Sequence, residues 1–272
     1  MKWRAIRAII RKDLSVVTRS KGVMLPMIIV PVIFLILIPG LVSLAPNLVN
    51  MPGMSFQEFD SFLQTMPHGL QETLSPYTMD QRVILIMVVY IFAPLFLIIP
   101  LMVSSVIAAD SFAGEKERKT IEALLYSPVT DGELFLAKAL SAWTPALAVT
   151  FVGFVIYGLM VNLTSWPTMG RVFFPNIMWV VMVLWVAPAA AGLGLGSMVL
   201  VSSRVASFQE ANQIGGVVVL PIVILVIGQA SGVIFFSTTL VLLLGLALWV
   251  VDGILLWFGA QVFERERMIT DL

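Results

Sequence analysis

The chain has 272 residues, of which 59% are hydrophobic and 12% are charged. That charged fraction is about half of what soluble domains carry, which indicates an integral membrane protein. The 16 basic and 16 acidic residues balance, so the net charge gives no indication of a nucleic-acid partner. With no cysteine and a single histidine, His68, the sequence excludes disulfides and argues against a transition-metal site with several ligands.

Six apolar stretches are long enough to cross a membrane, since a spanning helix needs about 20 mainly apolar residues. They lie at 24–44, 83–109, 134–160, 177–201, 213–231 and 238–260. Pro221 interrupts the fifth stretch, and its end around Gly228 could begin a re-entrant turn instead of completing the span. The sequence therefore predicts an all-α membrane protein with six transmembrane helices.

Basic residues predict the orientation of these spans. If the N-terminus is cytoplasmic, all but two of the 16 lysines and arginines lie on the cytoplasmic side, and Arg82 and Arg171 lie outside. The opposite orientation would reverse this split, so both termini are expected in the cytoplasm.

Residues 1–22 predict an amphipathic helix that lies on the membrane surface. Apolar residues recur at intervals of three and four from Trp3 to Val17, and Arg4, Arg7 and Arg11 form a basic face beside them. Such a helix would be attracted to an anionic cytoplasmic leaflet. A basic anchor that only sets topology would also explain the charges, but it would not explain the apolar period.

Three capping boxes predict helix starts in the connections. The first, at 55–58, predicts a short amphipathic helix within an external loop at 45–82. The second, at 78–81, opens the second span, and the third, at 130–133, opens the third.

The connection at 110–132 carries more charged residues than any other connection between the predicted spans. It contains five consecutive charged residues, Glu115, Lys116, Glu117, Arg118 and Lys119, which we call the charged run. The composition of residues 113–126 predicts a helix that ends before Pro128. A solvated hairpin would explain the polar residues. A connection of this length exceeds what a turn needs, however, which favours a docking surface for a cytoplasmic partner.

Residues 108–129 read AADSFAGEKERKTIEALLYSPV. This segment resembles a pattern characteristic of ABC-2 type transporter permeases, A-x-D/E-x-x-A-G-E-K-E-R-x-T-x-E-x-L-L-x-x-P-V. The variant is most similar to the branch related to sodium-efflux permeases, and the resemblance covers the whole chain. The family usually has glycine where Lys119 stands.

The resemblance implies the permease subunit of an ATP-driven exporter in a prokaryotic inner membrane. Two cytoplasmic ATPase subunits, which hold ATP and Mg²⁺, would dock on a permease dimer, expected to be a homodimer. The N-terminal helix and the segment at 110–132 would form the docking surface. The charged run and Glu122 would face the ATPase. The residues expected to seat the segment against the bundle or in the ATPase cleft are Ile121, Leu124 and Leu125.

The sequence itself supports a separate ATPase. No G-x-x-x-x-G-K-[ST] loop, which cradles nucleotide phosphates, occurs in it. The glycines at 192–197 lie within a span and are better explained by close helix packing, inside one subunit or between two. The chain is therefore expected to have no catalytic residue and no cofactor of its own.

Asp252 is the one acid deep inside a predicted span. A charge there costs at least about 2.5 kcal/mol, so the side chain should face a cavity or a partner. It could be a cation or proton site in the conduit, or a neutral residue that stabilises the bundle.

The alternative function is a stand-alone ion-coupled carrier that uses Asp252. A membrane enzyme is disfavoured, because no serine–histidine or paired-acid arrangement is present. The cargo stays open.

Overall fold

The computed structural model describes residues 3–44, 66, 68–120, 129–231 and 234–262. Of the described part, 88% is helical, with no strand. The helix predicted after residue 55 lies outside the described residues. So do Ile121, Glu122, Leu124 and Leu125, four of the residues assigned to the coupling segment.

Six helices in the described part are long and apolar enough to cross a membrane, which confirms the predicted fold class. In chain order, spans 1 to 6 are Lys21–Val42, Met79–Glu117, Asp131–Thr164, Ile177–Arg204, Phe208–Ala230 and Thr238–Gln261. Among the described residues, three shorter helices lie outside these spans: Trp3–Arg19, which we call α1, His68–Leu74 and Trp166–Met169. Two capping boxes are confirmed, with Thr78 before span 2 and Thr130 before span 3.

Spans 2 and 4 form the centre of the bundle. Two thirds of an 18-residue apolar window in each is buried, against 17% to 28% of the corresponding windows in the other four spans. Gly194 allows their close approach, because a Cβ there would collide with the Leu101 carbonyl and the Ser104 and Ser105 hydroxyls. The glycine run at 192–197 therefore packs helices within one subunit, the first of the two predicted alternatives.

Short π-helical turns interrupt several spans, at Ile33–Leu37, Leu85–Ile91, Asp110–Gly114 and Met182–Val186. A wider turn disturbs the regular backbone ladder, and inside a membrane each freed carbonyl needs a donor. In span 2 the donors come from neighbouring spans. The Tyr157 hydroxyl donates to the Val88 carbonyl at 2.5 Å, and the Trp179 indole donates to the Val89 carbonyl at 2.7 Å.

The helix of span 2 extends beyond its predicted end at residue 109 and includes the beginning of the predicted coupling segment. It runs without a break through the π-helical turn to Glu117, so the charged run begins inside this span. The helix predicted over 113–126 is confirmed only up to Glu117, because the chain turns at Lys119, which has a left-handed φ of 55°; residues 121–126 lie outside the described part. Thr120 N–H donates to the Glu115 carbonyl and Lys119 N–H to the Lys116 carbonyl, as in a Schellman helix end.

Span 5 begins five residues before the predicted start at 213. Its N-cap is Ser207, whose hydroxyl accepts the N–H of Glu210, while Glu210 accepts the N–H of Ala206. Ser207 and Glu210 have the spacing of a capping box, a signal in the sequence that could have placed this start. A 3₁₀ turn at Gly216–Val219 precedes Pro221, which stands in the first turn of the helix segment Leu220–Ala230.

Candidate functional site

Glu115 lies at the junction of α1 with spans 2 and 3. The residue is 2% exposed, whereas the sequence placed it with the exposed charges that face a partner. One carboxylate oxygen accepts a hydrogen bond from Lys12 Nζ of α1, and the other accepts from Lys138 Nζ of span 3 at 2.5 Å. Glu115 is buried, contrary to the prediction, because a carboxylate with two cationic partners is stable inside the protein.

Lys138 is fully buried and has several partners. Besides Glu115, Nζ donates to the Ser111 carbonyl at 2.5 Å and lies 5.3 Å from the centre of the Phe112 ring. These contacts satisfy a charge that would otherwise be very unfavourable away from water. Lys138 was not predicted as a site residue, although a lysine inside a predicted span was a signal available in the sequence.

Asp13 connects α1 to span 3. It is 3% exposed, accepts a hydrogen bond from the Ser141 hydroxyl at 3.1 Å, and lies 3.4 Å from Lys12. Burial opposes the charge of Lys12, but the hydrogen bond and charge of Glu115, followed by those of Asp13, raise the pKa of Lys12 above its ordinary value of 10.5. Lys12, Asp13, Glu115 and Lys138 form what we call the charge junction. Their formal charges cancel.

The rest of the charged run lies nearer the surface. Lys116 is half-buried, and Glu117, Arg118 and Lys119 are exposed. Arg118 donates to the carboxylate of Asp110 at 2.9 Å, which holds the guanidinium against the end of span 2.

Glu117 links span 2 to span 5. Its carboxylate accepts the N–H of Phe208, the first residue of span 5, at 2.9 Å. A carboxylate at a helix N-terminus also interacts favourably with the helix dipole. A movement of the charged run would therefore reach spans 2 and 5 together.

The predicted surface residues of α1 are exposed. Trp3 is 55% exposed, and Arg4, Arg7 and Arg11 are exposed as well. The buried face of α1 consists of Ile6, Ile9, Asp13 and Val17. Of the apolar period read from the sequence, Ile6 and Val17 lie on this buried face and Trp3 lies outside it, whereas the charged Asp13 lies on it.

Asp252 is placed between spans 4 and 6. It is 1% exposed and lies against Gly192, where an added Cβ would collide with the carboxylate. Neither oxygen has a hydrogen-bond partner among the residues that the structure describes. The buried charges of the charge junction therefore have partners of opposite charge, whereas the buried carboxyl group of Asp252 has no partner among the described residues. Within the described ranges, no three His, Cys, Asp or Glu residues are grouped so that they could hold a metal ion.

A sequence model of ABC-2 family transporter proteins matches residues 7–255, most of the chain. The chain belongs to the ABC-2 transporter family. As an ABC-2 protein it is a multi-pass membrane protein, and its family indicates the permease component of an ABC transporter, which associates with an ATPase partner. Members of this family are transport components and are not themselves catalytic. Comparison with curated proteins gives no significant match.

Proposed function

We propose that this ABC-2 protein is the permease subunit of an ATP-driven exporter. Two ATPase subunits would dock at the end of the bundle that holds α1 and the charged run, and a second copy of the chain would complete the permease. That end would face the cytoplasm, which the distribution of lysine and arginine supports. The sodium-efflux branch is a resemblance of the sequence, and the cargo is left open.

The observation that carries this proposal is the continuity of span 2. Span 2 joins the exposed charges to the most buried part of the bundle, and it is helical without a gap from Ile98 to Glu117. A push on Lys116, Glu117, Arg118 or Lys119 would be transmitted along this helical segment to the contact of spans 2 and 4. Exposed charges of both signs also suit a polar protein surface as a partner.

The buried state of Glu115 changes its proposed role within the coupling segment. It positions the docking surface through Lys12 and Lys138 and does not itself contact the ATPase. Ile121, Glu122, Leu124 and Leu125 keep their proposed role as further contacts, and Trp3, Arg4, Arg7 and Arg11 keep theirs as the membrane-surface face of α1.

The test is co-purification with the ATPase partner, followed by ATP hydrolysis of the complex in liposomes. Replacing Lys116, Glu117, Arg118 and Lys119 by serine should abolish assembly or permease-dependent hydrolysis. Arg171→Ser is the matched control, because Arg171 is an exposed basic residue that would lie on the opposite side of the membrane. A chain that binds no ATPase and still transports would overturn the proposal.

A second candidate function is a stand-alone ion-coupled carrier. The observation that favours it is the buried carboxyl group of Asp252, which has no hydrogen-bond partner in the described part of the chain, since ionisable groups inside membranes often mark ion or proton pathways. Transport by the chain alone that is lost in Asp252→Asn would support it. ATP-dependent transport that is normal in Asp252→Asn would exclude it.

A further inference from the structure

The charge junction divides into two neutral pairs along the contact of α1 with the bundle. On α1, Lys12 lies 3.4 Å from Asp13; in the bundle, Lys138 of span 3 lies 2.5 Å from Glu115 of span 2. Two polar contacts cross the boundary: Lys12 donates to Glu115, and Ser141 donates to Asp13. Each side of the contact therefore carries both a cation and its own counter-ion.

This division decides what happens if α1 separates from the bundle. Breaking a buried ion pair is strongly unfavourable when it leaves one charge buried alone. Here separation leaves no such charge, because Glu115 keeps Lys138 and Asp13 leaves together with Lys12. The exposures agree with this, since the Lys12 side chain is 42% exposed and already partly hydrated, whereas that of Lys138 is fully buried.

We propose that α1 is a releasable latch on spans 2 and 3. It separates as a neutral unit, while Lys138 keeps Glu115 neutralised inside the bundle. Lys138 is thus a positioning residue, and Lys12 is the releasable partner. The latch itself does not depend on an ATPase; its use in transport, where docking at the charged run would open or close it, rests on the proposed function.

The two lysines should respond differently to the same substitution, although both bind one carboxylate. Lys12→Gln removes a contact across the boundary and leaves the Glu115–Lys138 pair intact, so it should loosen α1 alone. Lys138→Gln removes the permanent counter-ion of Glu115, so it should disturb spans 2 and 3 as well. A junction that is only a static core would respond to both variants in the same elements.

Hydrogen exchange of the full chain in lipid nanodiscs, without any ATPase, measures this difference. Peptides covering residues 3–19, 110–117 and 131–141 report on α1 and the ends of spans 2 and 3. We expect α1 to exchange faster than the two span ends, and to exchange faster still at high salt, because salt screens partly exposed pairs. Lys12→Gln should speed exchange in 3–19 several-fold and leave the other two regions unchanged.

The matched control is Lys21→Gln, which removes an exposed lysine just after α1 and should change none of the three regions. Lys138→Gln should speed exchange in all three. If that variant does not fold, the double variant Glu115→Gln/Lys138→Gln, which removes the buried pair together, should restore the span ends and leave α1 loosened. The proposal is overturned if α1 exchanges no faster than the span ends in the wild type. It is also overturned if Lys12→Gln leaves α1 unchanged, or loosens the span ends equally.

Discussion

Lys138 and Glu115 form an ion pair with an N–O distance of 2.5 Å in which both side chains are buried, with 0% and 3% of their surface exposed. The two residues come from different spans and are 23 positions apart in the chain. Because of this pairing, Glu115, the first residue of the charged run, is held inside the bundle and does not lie on the surface. The exposed residues that follow are thereby held in a defined place relative to spans 2, 3 and 5.

Removing one member of this pair should strongly destabilise the protein. Glu115→Ala leaves Lys138 buried without its counter-ion, and losses of this kind are about 3–5 kcal/mol. The measurement is chemical unfolding of the purified chain in detergent. Glu117→Ala is the control and should cost about 1 kcal/mol or less, because that carboxylate is exposed and binds one helix N-terminus. Equal losses in the two variants would contradict the pairing described here.

The left-handed backbone of Lys119 predicts an unusual stabilising substitution. Lys119→Gly should raise the free energy of unfolding by about 1 kcal/mol, since glycine adopts a positive φ without the steric strain of a side chain. The same change three residues earlier, Lys116→Gly, should lower it by about 0.5–1 kcal/mol, because Lys116 is helical. Thermal unfolding of both variants in one detergent shows whether each change raises or lowers the stability. A loss of stability in Lys119→Gly would argue against the Schellman end at this position.

The contact of spans 2 and 4 should not tolerate a methyl group at residue 194. Gly194→Ala places a Cβ 2.7 Å from the Ser105 hydroxyl and closer still to the Leu101 carbonyl, so a loss of about 1–3 kcal/mol is expected from overpacking. Gly253→Ala in span 6 is the control, since apart from its own helix backbone and chain neighbours no atom of the described residues lies within 4 Å of the added methyl. Unfolding midpoints of the two variants, measured side by side, should separate clearly. If they coincide, spans 2 and 4 are not packed as described.

Asp252→Asn should leave the protein stable. The asparagine has the same shape, and its burial avoids the ionised state that a low-dielectric site disfavours. We expect ATP-dependent transport by the complex to continue at normal rates from acid to alkaline pH. Transport in liposomes at several pH values is the measurement, with Asn212→Asp as a control that adds an acid elsewhere, at an exposed position near the start of span 5. A loss of transport in Asp252→Asn but not in Asn212→Asp would indicate that the carboxyl group of Asp252 acts in the conduit.

The attachment of α1 should weaken at alkaline pH. The pKa of Lys12 is raised in the folded protein, so its contribution to stability is complete below its ordinary value of 10.5 and is lost as the pH rises through the higher, folded value. Brief pulses of hydrogen exchange at rising pH, corrected for the intrinsic rate, should show loss of protection in residues 3–19. In Lys12→Arg the loss should move to higher pH, because arginine stays charged. The same onset in both variants would mean that another group controls the attachment.

Several features could be predicted from the sequence because they depend on neighbouring residues. Apolar length determines whether a helix can cross a membrane, which is why all six spans were found. Capping is equally local, and the boxes at Thr78 and Thr130 placed the starts of spans 2 and 3 within a few residues. The motif around the charged run identified the family, since it is a continuous pattern.

The candidate site could not be predicted from the sequence, because it is formed by contacts between distant segments. Glu115 and Lys12 are 103 residues apart, and the sequence placed Glu115 among the exposed charges that would face a partner, because charged residues are usually exposed. Burial of a charge is decided by whether a counter-ion arrives from another element, and only the tertiary structure brings α1, span 2 and span 3 to one point. The same holds for the glycine run, whose faces could be assigned only with its neighbours in place. The sequence by itself determined a six-span ABC-2 protein with a charged segment; the packing decided which of those charges is buried and which remain exposed.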